Sequence, residues 1–212
     1  MTFFGLSGFN LDFKIEFMEC LLLIGYQNEY FESKGRMHDT VENKFLVESL
    51  KKRTIQLLEK LDHDILVICA PIGFDKNYTD MGNSYGIFQI IREKKAFIVG
   101  TYGYQTIDEI KHTQNKLVQL TNRRTLNAFQ NTDLIQILED ARIDTIYIAG
   151  IFTSLCIDST ARTSYEYGYK TYILSDLIAG ITEFENKYYL ENIFPSYAIC
   201  KMSDEILAKQ KS

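Results

Sequence analysis

Short apolar runs punctuate the chain, each bounded by polar or turn residues and too brief for a helix: CLLLIG (20–25), DILVICA (64–70), AFIVG (96–100), KLVQL (116–120), TIYIAG (145–150), TYILS (171–175) and the weaker YAIC (197–200). Runs of this length, apolar without alternation, predict strands buried on both faces. Between them lie stretches with apolar residues at helical spacing. Residues 42–61 place Phe45, Leu46, Ser49, Leu50 and Ile55 on one broad face, 131–142 opens on NTDL, and 155–167 follows the TIYIAG run. This alternation of strand and helix predicts an α/β fold, a doubly wound, mostly parallel sheet with helices on both faces and right-handed crossovers. No internal repeat, linker or low-complexity block interrupts it, so residues 1–212 read as a single domain. Ligands of such sheets sit beyond the carboxyl ends of the strands. Attention therefore falls on the residues after Ile24, Ile68, Val99, Leu120 and Ala149.

Composition narrows the partners. With 46% hydrophobic and 24% charged residues, a 212-residue chain can bury a sizeable core. A formal net charge of -5, without a long Lys/Arg run, argues against nucleic acid or an anionic membrane and for a small-molecule ligand or another protein. Cys20, Cys69, Cys156 and Cys200 are widely spread and form no C-x-x-C, which reads as reduced thiols in a cytoplasmic protein rather than a disulfide framework or a zinc site. Asp12, Lys14, Glu16 and Glu19 break the apolar N-terminal stretch before a signal-peptide core can form. No span approaches the roughly 20 apolar residues of a membrane helix.

Cys156 enters a helix-like pattern through the short loop IFTS, and Thr153, Ser154 and Asp158 suit a helix start. Unpaired amides and the partial positive charge of a helix N-terminus favour a thiolate, and the backbone N–H groups of Leu155 and Cys156 are candidates to hold an oxyanion. Free cysteine also packs as a small buried apolar residue, so position alone leaves both readings open. Elsewhere, GYQNEYF after the first strand lacks G-x-G-x-x-G, and a tight turn explains GTYG (100–103) as well as a phosphate cradle would.

The segment GIFTSLCIDSTARTSYEYGYKTYILSD resembles the signature segment of the isochorismatase-like cysteine hydrolases, a family that includes nicotinamidases and carbamoyl-amide hydrolases. LLLIGYQNEYF resembles that family's first strand and loop, AFIVGTYGYQTIDEI a middle segment of one subgroup, and NRRTLNAFQNTDLIQILEDARIDTIYIAG the segment feeding the nucleophile strand. The resemblance covers most of residues 20–180. It implies a Cys that attacks the substrate carbon, an Asp that accepts and returns a proton, and a Lys that orients the pair. Cys156 falls on the nucleophile, and a cis peptide ahead of it falls between Ile151 and Phe152.

Two positions depart from the pattern. Where the first strand of the family ends in Ile-Asp, this chain has Ile24 and Gly25. Where the family has Lys ahead of an Ala-Phe pair, this chain has Arg123, with Arg124 beside it, ahead of Ala128 and Phe129. Arg123 cannot exchange a proton, but its charge can stabilise a thiolate. The missing carboxylate matters more, because general acid–base assistance is worth roughly 10²–10⁴-fold in rate. Glu29, Asp75, Asp80 and Glu109 lie in segments that can approach the strand ends, each with a solvated surface charge as its plainer role. Tyr26 is a candidate to fill the space that Gly25 vacates.

The Asp-x-His metal motif of the nicotinamidases has no counterpart in APIGFDKNYTDMGNSYG, and His38, His63 and His112 are far apart in polar surroundings. Neither a metal nor an organic cofactor is expected, and the resemblance implies a homo-oligomer. Two functions follow from it: a cysteine-dependent hydrolase of a small amide or carbamoyl-type C–N substrate with an altered acid–base partner, or a catalytically impaired relative serving as a ligand- or protein-binding module.

Overall fold

A computed structural model describes residues 18–82, 85–113 and 116–209. The reading of the first 17 residues, with Asp12, Lys14 and Glu16, lies outside the described residues. Six strands form one sheet: β1 (Met18–Ile24), β2 (Leu66–Ala70), β3 (Leu117–Gln119), β4 (Ile143–Ile151), β5 (Lys170–Ala179) and β6 (Ile199–Lys201). Their order is β3-β2-β1-β4-β5-β6, and every neighbouring pair is parallel. Each face buries its own apolar cluster. On β1, Leu21 and Leu23 enter one cluster while Cys20, Leu22 and Ile24 enter the other, which is why the strand reads as a continuous apolar run.

Helices cover both faces. The longest, α2 (Lys44–Leu58), follows a four-residue helix α1 (Asn28–Phe31) and starts where the Asn43 side chain accepts the Leu46 N–H. It buries Val47, Leu50, Thr54, Leu57 and Leu58, a stripe at helical spacing. The apolar face expected from the sequence is thereby corrected: Phe45 is 80% exposed, and the buried stripe is rotated towards Val47 and Leu57. α3 (Ile87–Glu93), α4 (Asp108–Lys111) and α8 (Ser203–Lys209) add Ile91, Ile110 and Ile206 to the same cluster. α5 (Leu134–Asp140) and α6 (Asp158–Glu166) supply Leu134, Leu138 and Ala161 to the other, and α7 (Glu183–Tyr188) follows β5. No helix among the described residues is long and apolar enough to cross a membrane.

One expected strand is absent. Residues 96–100 bury Ala96 and Phe97, but Lys95 and Phe97 take φ of 53° and 57° and Gly100 a φ of 85°. Alternating left-handed positions curl the backbone, and only a single parallel bridge, Phe74 to Ile98, survives. Ala96 and Phe97 fill the core from a loop rather than from the sheet, while Val99 is exposed.

The chain runs outward from β1 through β2 to β3 and then returns to place β4 on the other side of β1. The connections leaving β1 and β4 diverge there, and such a reversal opens a crevice at the carboxyl ends. The two strands touch closely where they meet it. Ile24 pairs with Gly150, whose φ is 130°, and a Cβ on Gly150 would lie 1.9 Å from the Ile24 carbonyl oxygen. Only glycine permits that approach.

Candidate active site

β4 delivers Cys156 to this crevice. The strand ends at Ile151, a cis peptide joins Ile151 to Phe152, and the turn Thr153–Ile157 winds once with π-type spacing before α6 begins. The Phe152 carbonyl closes the turn by accepting from both the Leu155 and the Ile157 N–H at 3.1 Å. A second brace comes from α7. The Ser154 N–H donates to Glu185 Oε1 at 3.0 Å, Glu185 Oε2 accepts from the Ile181 N–H, and the Thr153 hydroxyl donates to Asn186. Glu185 carried no signal in the sequence beyond its place in a polar helical stretch, because its partner lies 31 residues away. Cys156 itself is 6% exposed, within the cluster that holds Ile24, Ala70 and Ala128. The Leu155 amide, a candidate oxyanion donor, spends its hydrogen on Phe152.

Gly25 follows Ile24 directly, with a φ of 74°. A Cβ there would meet the Ile151 carbonyl oxygen at 3.0 Å and the Tyr30 ring at 3.6 Å. Tyr30 therefore occupies the side of Gly25 on which a first-strand side chain would stand. Tyr26 does not: its ring stacks on Phe31 and its hydroxyl pairs with Thr54 at 2.6 Å. The Tyr30 ring is wedged between Phe97 and Phe152, with centroids at 4.9 and 5.1 Å. Burial first, and then the Cys156 thiol, hold the phenol well above its ordinary pKa, with Arg123 partly offsetting them.

Arg123 is 1% exposed. Its guanidinium donates to three backbone carbonyls: Ala70 at 2.6 Å, Leu126 at 2.6 Å and Thr125 at 3.1 Å. It ties the end of β2 to the loop that follows β3, and its charge reaches Tyr30 from that fixed position. Arg124 turns away and pairs with Asp80. Beside it an open cleft of about 530 Å³ is lined by Asp80, Phe88, Arg124, Asn127, Asn131 and Ser159, the last in the first turn of α6.

None of the four carboxylates weighed as substitutes is free of other work. Glu29 is buried, and its oxygens accept from the backbone N–H of Arg36 at 2.6 Å and Phe97 at 3.3 Å. Asp75 organises its own loop, accepting from the Asn77 and Asp80 amides and the Thr79 hydroxyl. Asp80 accepts from the Asp75 N–H and pairs with Arg124. Glu109 forms a half-exposed ion pair with Lys51 at 3.0 Å. The Gln27 and Asn28 side chains are structural links: Gln27 bonds the Ile72 amide and carbonyl and the Tyr104 carbonyl, and Asn28 bonds the Tyr102 carbonyl.

A zinc ion finds no donor set among the described residues. Among the described residues no three His, Cys, Asp or Glu side chains come together to hold an ion. His63 and His112 are exposed, His38 bonds the Tyr30 carbonyl, and Asp75 and Asp80 are occupied as above. The described residues do not fit the metal.

Comparison with known proteins agrees with this architecture. The Isochorismatase domain model matches residues 19–205. An uncharacterized isochorismatase family protein of Bacillus subtilis, YwoC, is 33% identical over 89 residues, 42% of this chain and 47% of that protein. The nicotinamidase of Saccharomyces cerevisiae is 33% identical over 101 residues, 41% of this chain and 46% of that protein. The chain thus spans about half the length of these curated relatives. The crystal structure of an isochorismatase-like hydrolase from Alkaliphilus metalliredigens superposes with a TM-score of 0.72 at 22% identity, covering 92% of this chain and 98% of the other, which shows the shared fold. A family match that runs through all six strands and the turn bearing Cys156 makes this chain a member of the isochorismatase family.

Proposed function

We propose that the protein is a hydrolase of a small amide or carbamoyl-type C–N bond that uses Cys156 as nucleophile, with the acid–base partner altered at Gly25. The observation that carries this reading is the seat of Cys156, on a braced turn at the carboxyl end of a central strand, where the strand order reverses. The similarity to a nicotinamidase supports the class of bond attacked, and the misfit of a metal disfavours nicotinamide itself. In the first half-reaction Cys156 sulfur adds to the substrate carbonyl, the C–N bond breaks, and the thiol proton leaves on the amine. Water then cleaves the thioester and returns the proton to sulfur. Glu29, Asp75, Asp80 and Glu109 are all engaged elsewhere, so slow turnover is expected. The polypeptide is read as one domain, cytoplasmic and homo-oligomeric, with a small-molecule ligand.

A second reading, a binding module that has lost turnover, is favoured by a different observation: the Arg123 guanidinium directs its hydrogen bonds to three carbonyls rather than to the thiol. One experiment separates the two. Purified protein is incubated with a panel of small amides and carbamoyl compounds, ammonia release is followed, and the acyl adduct on Cys156 is sought by mass spectrometry. Release that disappears in Cys156→Ala establishes the hydrolase. Saturable binding without release or adduct establishes the module.

A further inference from the structure

Phenylalanine has no polar atom to offer water, and among the described residues only two phenylalanines are exposed, Phe45 at 80% and Phe184 at 79%. Each is the second residue of its helix, α2 and α7, and the two helices begin side by side. The Glu42 N–H donates to the Ile181 carbonyl at 2.9 Å, and the Asn43 amide donates to the Glu183 carboxylate. Tyr188, one turn along α7 and 47% exposed, stacks on Phe184 with ring centroids 6.0 Å apart. Three outward rings thus lie along one junction between two helices, with half-buried Leu46 and Ile181 beside it.

At roughly 200 Å² per ring, these exposures amount to about 400 Å² of aromatic surface, the size of patch that marks an interaction site rather than scattered surface residues. A two-fold dimer buries roughly 800 Å² on each copy, about 65% of it apolar, so each copy supplies about 500 Å² of apolar surface. The three rings provide most of that, and the exposed parts of Leu46 and Ile181 add to it.

Charge suits a second copy as well. The chain carries a formal net charge of -5, which sets two copies against each other over most of their surface. At this junction the signs are mixed. Glu48 lies one turn beyond Phe45, and Lys187, loosely paired with Glu191 at 3.8 Å, lies one turn beyond Phe184. A patch with both signs can be self-complementary under a two-fold axis, whereas a strongly acidic or basic partner asks for one sign.

We propose that Phe45, Phe184 and Tyr188 form the centre of a two-fold interface between two copies of this chain. This rests on the chain's being homo-oligomeric and gives that assembly its surface. It also divides the work of α7: Phe184 and Tyr188 face the second copy, while Glu185 and Asn186 hold the turn of Cys156 through Ser154 and Thr153. The two copies meet across the helix that braces that turn.

Sedimentation velocity over a dilution series is compared for the native protein, Phe45→Glu, Phe184→Glu and Tyr165→Glu, with far-ultraviolet circular dichroism reporting the fold. Both phenylalanines are exposed, so neither change disturbs the core. Tyr165, 55% exposed on α6, lines a different aromatic groove with Tyr169 and Tyr197 and is the control. The expected native particle has twice the 24.6 kDa of the chain. Phe45→Glu and Phe184→Glu each raise the dissociation constant about 30-fold or more, the scale of an interface hot spot, and Tyr165→Glu leaves it unchanged. A native protein that is monomeric at every concentration overturns both the surface and the oligomeric reading, and leaves the rings to a different protein. An oligomer that survives both phenylalanine changes, or that Tyr165→Glu splits instead, overturns the surface and leaves the oligomeric reading standing.

Discussion

The guanidinium of Arg123 donates to the carbonyl of Ala70, the last residue of β2, at 2.6 Å. Two further bonds, to Thr125 and Leu126, fasten the loop after β3 to the same strand end. A charge that is 1% exposed and surrounded by carbonyls is held by hydrogen bonds rather than by an ion pair. The residue that family resemblance casts as a partner of the thiol is thus first a clamp on the sheet, and its charge acts on the site from a distance.

Truncating the clamp leaves three carbonyls without their donor. Arg123→Ala is expected to lose about 3 kcal/mol or more of stability, and Arg123→Lys, whose ammonium cannot match a planar three-way fork, an intermediate amount. Urea unfolding monitored by circular dichroism measures both. A Lys variant as stable as the native protein would show the fork to be dispensable.

Gly25 does not accept a carboxylate side chain without strain. With φ at 74° and the Ile151 carbonyl 3.0 Å from the new Cβ, Gly25→Asp places a side chain in left-handed backbone against Tyr30. The expected cost is about 1–2 kcal/mol from the backbone alone. Gly25→Asp with Arg123→Lys is therefore expected to melt at lower temperature and to release no more ammonia than the native protein. Faster release would mean that Tyr30 yields to the carboxylate.

Glu185 braces the turn of Cys156 through the Ser154 amide and holds the Ile181 amide with its other oxygen. Glu185→Ala leaves both amides unpaired, with an expected loss of about 1–3 kcal/mol. The labelling rate of Cys156 by iodoacetamide should change as the turn loosens, while Cys20 and Cys69 stay protected. Burial raises both of those thiols, Cys69 to about 12. An unchanged Cys156 rate would separate the turn's geometry from this brace.

Asp75 governs the loop over 75–80 as a function of pH. The Thr79 hydroxyl and the amides of Asn77, Thr79 and Asp80 hold its carboxyl down to about 2, below its ordinary 3.8. A lowered carboxylate stabilises the loop above its ordinary pKa, and that contribution is lost as pH falls through the folded value. Hydrogen exchange at Asn77 and Asp80, corrected for intrinsic rates, is expected to accelerate between about pH 4 and pH 2. In Asp75→Asn it should be fast throughout. Equal protection in the two proteins at pH 5 would refute the assignment.

Local pattern carried far in this chain. The continuous apolar runs of β1, β2 and β4 read as strands covered on both sides, and the short spacing from Ile151 to Cys156 as a turn at a strand end. The α2 stripe was misjudged by Phe45 because a lone aromatic at the start of an amphipathic helix can face either way, and tertiary contacts decide. The run at 96–100 failed as a strand because the signs of its backbone angles are invisible in a list of apolar residues.

The strand–helix alternation, the place of Cys156 at the end of β4 and the absence of a side chain at Gly25 are properties of order along the chain, and the sequence by itself determined them. What surrounds the sulfur was decided only by tertiary structure. Arg123 meets Ala70 across 53 residues and Glu185 meets Ser154 across 31. Tyr30 rather than Tyr26 stands beside Gly25 because the backbone there bends left-handed and α1 packs Tyr30 between Phe97 and Phe152. Hydrogen bonds and ring contacts of that reach depend on how the strands stack and where the loops close, which no local pattern encodes.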